Sequence, residues 1–192
     1  SQTALKPEHS ENLELGLSGE YQWGTSELKL YKSKVKDAFS YLDPDGNWQT
    51  ANAYYINSGV VDIQGVELVI GTDLMGWDLN SSINFNKAIA ESTDLQKGRR
   101  PNQTISLNLS KSSGKWKRNI NWTARSWAWD KDDHSNGKNG GYGLLNLSTS
   151  YDFTENLSVY LNRNNALDKD YEMAKGYNTL GKTSTLGLTY TF

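Results

Sequence analysis

The stretch LNLSTSYDFTENLSVYL, residues 145–161, decides the fold. Leu145, Leu147, Tyr151 and Phe153 alternate with Asn146, Ser148, Ser150 and Asp152. After a tight turn at Thr154–Glu155 the alternation resumes, with Leu157, Val159 and Leu161 set against Ser158, Tyr160 and Asn162. Successive side chains of a strand point to opposite faces, so a period of two predicts a hairpin with one apolar and one polar face.

The same period runs outward in both directions. Leu13, Leu15, Leu17, Tyr21 and Trp23 share one phase near the start, and Leu186, Leu188, Tyr190 and Phe192 share one at the end. The alternation predicts nine strands, at 11–23, 26–41, 52–72, 76–90, 102–112, 115–129, 141–153, 156–165 and 181–192. Two strands change phase internally. Val61 and Ile63 are out of step with Val66, Leu68 and Ile70, and a bulge at Gln64–Gly65 would reconcile them. Ile120 and Trp122 are out of step with Trp127 and Trp129, whose facing is left open.

Composition agrees with an all-β reading. The chain of 192 residues has 7 Trp and 11 Tyr but a mean hydropathy of only -0.71, as expected when every element has a polar face. Cysteine is absent, which excludes a disulfide scaffold, a thiolate metal site and a Cys nucleophile. A formal charge of -2 offers no basic surplus for nucleic acid. No apolar run reaches the ~18 residues of a transmembrane helix, and the first residues do not read as a signal peptide.

The connections sort by length. Short turns follow the first, third, fifth and seventh strands, while 42–51, 91–101, 130–140 and 166–180 are long and polar. Transmembrane β-barrels of the bacterial outer membrane have short periplasmic turns and longer external loops. The expected fold is therefore all-β, with antiparallel transmembrane barrel strands. Residues 1–10 are expected to be an external loop remnant and 11–192 barrel strands. Nine strands with an external start are an odd count, so an incomplete part of a larger barrel is expected.

Four stretches then resemble the C-terminal barrel of the TonB-dependent outer-membrane receptors. They are LKPEHSENLELGL (Leu5 to Leu17), YYINSGVVDIQGVEL (Tyr54 to Leu68), GRRPNQTISLNLS (Gly98 to Ser110) and NNALDKDYEMAKGYNTLGK followed by LGLTYTF. Family members often have Asn-Leu-Phe-Asp-Lys-x-Tyr where this chain has Asn165, Ala166, Leu167, Asp168, Lys169, Asp170 and Tyr171. The closing hairpin is most similar to the cobalamin branch, and siderophore receptors share the pattern. The resemblance implies part of a receptor importing a cobalamin or iron–siderophore chelate, embedded in outer-membrane lipid and lipopolysaccharide. It also implies partners outside this sequence: a receptor segment with a plug domain, and TonB acting through that plug. A full barrel of the family has about 22 strands. A self-contained small barrel with a structural or adhesive role is the alternative.

Candidate residues follow from these expectations. Thr185, Gly187, Tyr190 and Phe192 are similar to the signal read by the barrel-assembly machinery, in which an unpaired strand can add to another sheet edge. Trp23, Trp77 and Trp116 flank short turns, where an interfacial girdle places aromatics. Arg99 and Arg100 sit where a loop meets a strand and could hold an anionic ligand or lipopolysaccharide phosphate through a bidentate fork. Of Lys29, Lys32, Lys34 and Lys36, the even-numbered three share a phase with Leu28 and Leu30 and are expected beyond the bilayer. Asp130, Asp132, Asp133 and His134 could bind a hard cation, but Lys131 and Lys138 offset them and a solvated loop is expected. Asp43, Asp45, Gly46 and Asn47 have calcium-loop spacing, yet Tyr54 stands where the closing glutamate belongs. No G-x-S-x-G, phosphate loop or H-E-x-x-H is present, so no catalytic group, cofactor or metal is assigned.

Overall fold

A computed structural model describes residues 4–42, 53–57 and 59–192, and contains no helix among them. The candidate calcium-loop residues Asp43 to Asn47 lie outside the described residues. The strands are β1 (His9–Tyr21), β2 (Gly24–Lys36), β3 (Phe39–Leu42), β4 (Tyr54–Asn57), β5 (Val61–Leu74), β6 (Trp77–Ala90) and β7 (Leu95–Gln96). They continue as β8 (Gln103–Ser113), β9 (Trp116–Arg125), β10 (Ala128–Trp129), β11 (Lys138–Asn139), β12 (Tyr142–Asp152), β13 (Leu157–Asn164) and β14 (Thr183–Tyr190). One antiparallel sheet runs β1-β2-β5-β6-β8-β9-β12-β13-β14, with β7 paired to β6. These nine long strands are the nine expected. The sheet is open, and β1 and β14 form its edges.

Register carries each strand's alternation across the whole sheet. Leu15 pairs with Leu30, Leu30 with Val66 and Val66 with Phe85, so one continuous apolar face forms. Among the described residues no layer covers its side chains. Leu13, Leu15 and Leu17 at one edge and Leu186 and Leu188 at the other are 68–74% exposed. Water would not tolerate a contiguous apolar face of this size, whereas lipid requires it. The opposite face presents Asn80, Asn108, Asn121 and Asn146 in one row and Asn84 in another.

The expected bulge at Gln64–Gly65 does not form. β5 keeps an unbroken register with β2 from Val61↔Val35 to Gly71↔Thr25, and with β6 throughout. Val61 and Ile63 instead face inward at the long-loop end, where Val61 is buried with Ala38 and Ala88 and packs against Val35 and Ile63. The phase change therefore marks the height at which the strands leave the apolar zone. Above it the outer face is charged, with Lys34 opposite both Glu11 and Asp62.

Four strand ends also differ from expectation. The second strand stops at Lys36, because Asp37 takes a left-handed φ of 54° and its carbonyl accepts from Asn57 Nδ2 at 2.6 Å. Tyr54–Asn57 consequently pairs with Phe39–Leu42 as a separate hairpin and not as the start of β5. β9 ends at Arg125, and Trp127 and Trp129 lie beyond it. Trp129 joins the short β10–β11 pair, so the question of which sheet face the two tryptophans occupy dissolves. β1 begins at His9, and Leu5–Glu8 lies against the β3–β4 hairpin: the Lys6 N–H donates to Asn57 Oδ1 at 2.9 Å and the Phe39 N–H to Glu8 Oε1 at 2.7 Å.

Candidate functional site: the inner face and its loop cap

The inner face is a lattice of amides held by cross-strand hydrogen bonds. Tyr31 Oη donates to Asn84 Oδ1 at 3.1 Å, Asn119 Nδ2 to Asn108 Oδ1 at 2.8 Å, and Ser148 Oγ to Asn162 Oδ1 at 2.7 Å. Short polar side chains bonded to one another leave oxygens and N–H groups turned to the interior, where they can hold water or a polar ligand.

Near the long-loop end these rows meet the connection after β7. Tyr31, Ile63, Asn86, Thr104, Arg99 and Arg100 line a recess of about 330 Å³. Arg99 takes a left-handed φ of 56°, and its N–H donates to the Trp129 carbonyl at 2.6 Å. Its Nε lies 3.7 Å from Asp130 Oδ1, while half its side chain stays exposed. The two arginines thus border the inner face and not the apolar one.

Asp130 is the residue around which the loops close. It is 3% exposed, not solvated as expected for this loop. Its carboxylate accepts from Asn136 Nδ2 at 2.7 Å and, on its other oxygen, from Asn139 Nδ2 and the Lys175 N–H, both at 2.8 Å. Burial pushes its pKa up, but these hydrogen bonds and the Arg99 charge outweigh that and bring it from 3.8 to about 2. One carboxylate thereby joins three loops: 91–102 through Arg99, its own loop, and 165–182 through Lys175.

The neighbouring acids are used similarly. Asp132 pairs with Lys97 and accepts from the Gly98 N–H at 2.7 Å. Asp133 accepts from Ser135 N–H and Oγ, which lower its pKa. His134 stacks on Trp129 with ring centroids 4.0 Å apart, and its Nε2 is 2.8 Å from the Gln96 carbonyl. Lys138 lies 3.6 Å from the Trp127 ring centroid and 4.8 Å from that of Trp129. Among the described residues no three acids or histidines converge as a metal site.

Within the segment spanning Asn165 to Tyr171, Asn165 is buried. Its Nδ2 donates to the Lys169 carbonyl at 2.9 Å and its Oδ1 accepts from the Lys169 N–H at 2.8 Å. Its own N–H donates to Asn146 Oδ1 at 3.0 Å, fastening the loop to the inner face. Arg125 was not singled out by the sequence. It faces inward between Thr104 and Tyr142, its guanidinium 5.0 Å from the Tyr142 ring, with Nε and Nη2 buried and unbonded. An arginine in phase with Asn119, Asn121 and Thr123 was the available signal.

The aromatic candidates lie at the short-turn end. Trp23 stacks on Tyr21 at 5.0 Å, Trp116 meets Tyr151 at 4.8 Å, and Trp77 closes the β5–β6 turn opposite Leu74. Thr185 and Gly187 face inward beside Asn162 and Tyr160, while Tyr190 and Phe192 pack edge to face at 5.1 Å.

Comparison with known proteins places this architecture. The family model described as TonB dependent receptor-like, beta-barrel, matches residues 1–166. The vitamin B12 transporter BtuB of Photobacterium profundum is 30% identical over 98% of this chain. The copper transporter OprC superposes with a TM-score of 0.77 at 20% identity over 98% of this chain and 32% of its own. The siderophore receptor PirA from Acinetobacter baumannii gives 0.77 at 18% identity, again covering 98% and 32%. This chain spans 31% of the length of the BtuB relative.

Proposed function

The chain belongs to the TonB-dependent receptor β-barrel family of the bacterial outer membrane, and from that premise we propose that it forms one arc of a receptor wall that imports a metal chelate. The relatives are transporters and receptors, not enzymes. The carrying observation is the pairing of an unbroken apolar outer face with an amide-lined inner face that ends beneath three interlocked loops. The apolar face suits lipid, and the inner face suits a polar cargo. Arg99 and Arg100, at the mouth of the inner recess, contact an anionic part of the chelate. A cobalamin or an iron–siderophore is the cargo class, since both kinds of receptor are among the relatives.

Other roles follow from position. Trp23, Trp77 and Trp116 anchor the wall at the periplasmic interface, where indole rings are favoured. Thr185, Gly187, Tyr190 and Phe192 present the edge strand to the barrel-assembly machinery. Further receptor strands and a plug complete the barrel, and TonB acts through the plug.

The test is binding by the full-length receptor that carries these strands, with cyanocobalamin and a ferric siderophore as probes. Saturable binding of one probe, weakened about tenfold by Arg99→Gln with Arg100→Gln, is the expected result. Failure of both probes would overturn the import reading. Heat-modifiability on a gel adds a second arm: a folded shift by this chain alone would favour a self-contained small barrel.

A further inference from the structure

The sequence has two Asn-Gly dipeptides, Asn136–Gly137 and Asn139–Gly140, and both serve Asp130. Asn136 Nδ2 donates to its Oδ2 at 2.7 Å and Asn139 Nδ2 to its Oδ1 at 2.8 Å. An asparagine followed by glycine is open to attack by its own backbone. The glycine nitrogen can close a five-membered ring on the side-chain carbon, and no Cβ stands beside that nitrogen to obstruct it. Whether the ring closes depends on how each dipeptide is held.

The fold holds the two differently. Asn139 is 2% exposed and pairs with Ala128 in the β10–β11 ladder. The ladder keeps its backbone extended, away from the geometry ring closure needs, and burial keeps water off its amide. Asn136 lies in the turn between those strands and is only half-buried. Gly137 takes a left-handed φ of 77°, and its N–H reaches the His134 carbonyl only at 3.3 Å. Lys175 Nζ donates to the Asn136 carbonyl oxygen at 2.9 Å and stands 3.5 Å from where a Cβ on Gly137 would be. When the Gly137 N–H ionises, the negative charge is shared with that same carbonyl oxygen. An ammonium at hydrogen-bond distance favours the charged form. The turn thus combines a loosely held nucleophile, a cation that eases its ionisation and access to water.

We infer that Asn136 is a self-modification site, whose conversion to aspartate or isoaspartate unfastens the loop cap. The Gly137 nitrogen bonds to Asn136 Cγ, the Cγ–Nδ2 bond breaks, and ammonia leaves with the proton from the Gly137 N–H. Water then opens the cyclic imide at either carbonyl. One opening gives aspartate, and the other gives isoaspartate, in which the main chain runs through the former side chain. Nothing is oxidised or reduced. Either product replaces a donor to Asp130 Oδ2 with a second carboxylate, and like charges so close repel. Isoaspartate also adds a backbone carbon next to Gly137, whose carbonyl accepts from the Asp130 N–H at 3.0 Å. Because Asp130 joins three loops, losing this partner loosens all of them.

The full-length receptor in detergent is incubated for days in mildly alkaline buffer, with the urea-unfolded receptor alongside. Peptide mapping by mass spectrometry follows both asparagines. In the unfolded chain both convert. In the folded receptor Asn136 is expected to convert at least about tenfold faster than Asn139, whose reaction must wait for local opening. Lys175→Met slows Asn136, whereas a merely structural lysine would on removal loosen the turn and speed it. Limited proteolysis within 165–182 should rise with the converted fraction, to about tenfold at full conversion, since a hydrogen bond to a charged group is lost. Freshly prepared Asn136→Asp should show faster cleavage at once. Asn136→Gln, which would have to close a six-membered ring, should neither convert nor gain susceptibility on incubation. Conversion of Asn136 no faster than Asn139 in the folded receptor would overturn the site. Full conversion with cleavage unchanged would overturn its hold on the cap.

Discussion

The phenol ring of Tyr160 lies across Gly187, its register partner on β14. A Cβ at position 187 would sit 2.7 Å from Tyr160 Cε1, closer than carbon atoms approach. Glycine in the closing strand therefore has a packing reason of its own. Gly187→Ala is expected to cost about 1–3 kcal/mol, measured as a lower urea midpoint in detergent. Tyr160→Ala in the same chain should recover part of the loss.

The corresponding pair Tyr31 and Gly65 is less forgiving. There an added Cβ would also stand 2.6 Å from the Phe85 carbonyl oxygen, which belongs to the backbone and cannot rotate away. Gly65→Ala should destabilise more than Gly187→Ala, and Tyr31→Ala should rescue it less completely. Equal rescue in the two pairs would refute the distinction.

Asp130 predicts a pH response of the loop cap. Its pKa in the folded protein, about 2, lies below the ordinary 3.8, so folding favours the charged form. The contribution is full above about pH 4 and is lost as pH falls toward 2, amounting to about 2 kcal/mol. Limited proteolysis within 165–182 should accelerate over that window. Asp130→Asn should bring the same accelerated cleavage at neutral pH and flatten the acid response.

Arg125 has two buried nitrogens with no acceptor among the described residues. A buried cation in that condition costs stability. Arg125→Met is therefore expected to leave the unfolding midpoint unchanged or raised, while weakening binding of an anionic chelate to the full receptor. A large fall in stability would mean that the Tyr142 stacking dominates.

The tryptophans at the short turns can be located by depth-dependent quenching. With brominated lipids, Trp23, Trp77 and Trp116 should be quenched most by bromine near the headgroup. Trp127 and Trp129, held among the loops, should be quenched little. Single Trp→Phe variants assign each signal, and strong quenching of Trp129 by deep bromines would contradict the placement.

The sequence by itself determined the nine strands, the apolar and polar faces and the sorting of loops by length. Each is a local property. Alternation is set by backbone geometry residue by residue, and turn length is a count. Even the inward facing of Gly187 could be read from Leu186 and Leu188. Tertiary structure decided whatever depends on residues distant in the chain. The phase change at Val61 and Ile63 reads locally as a bulge, and only continuous pairing with β2 and β6 shows that it is a change of surroundings with height. Asp130 reads as a solvated loop acid, because its partners Arg99 and Lys175 lie 31 and 45 residues away in sequence. Strand period follows from chain geometry alone, whereas a charge's partners follow from which loops and strands the fold brings together.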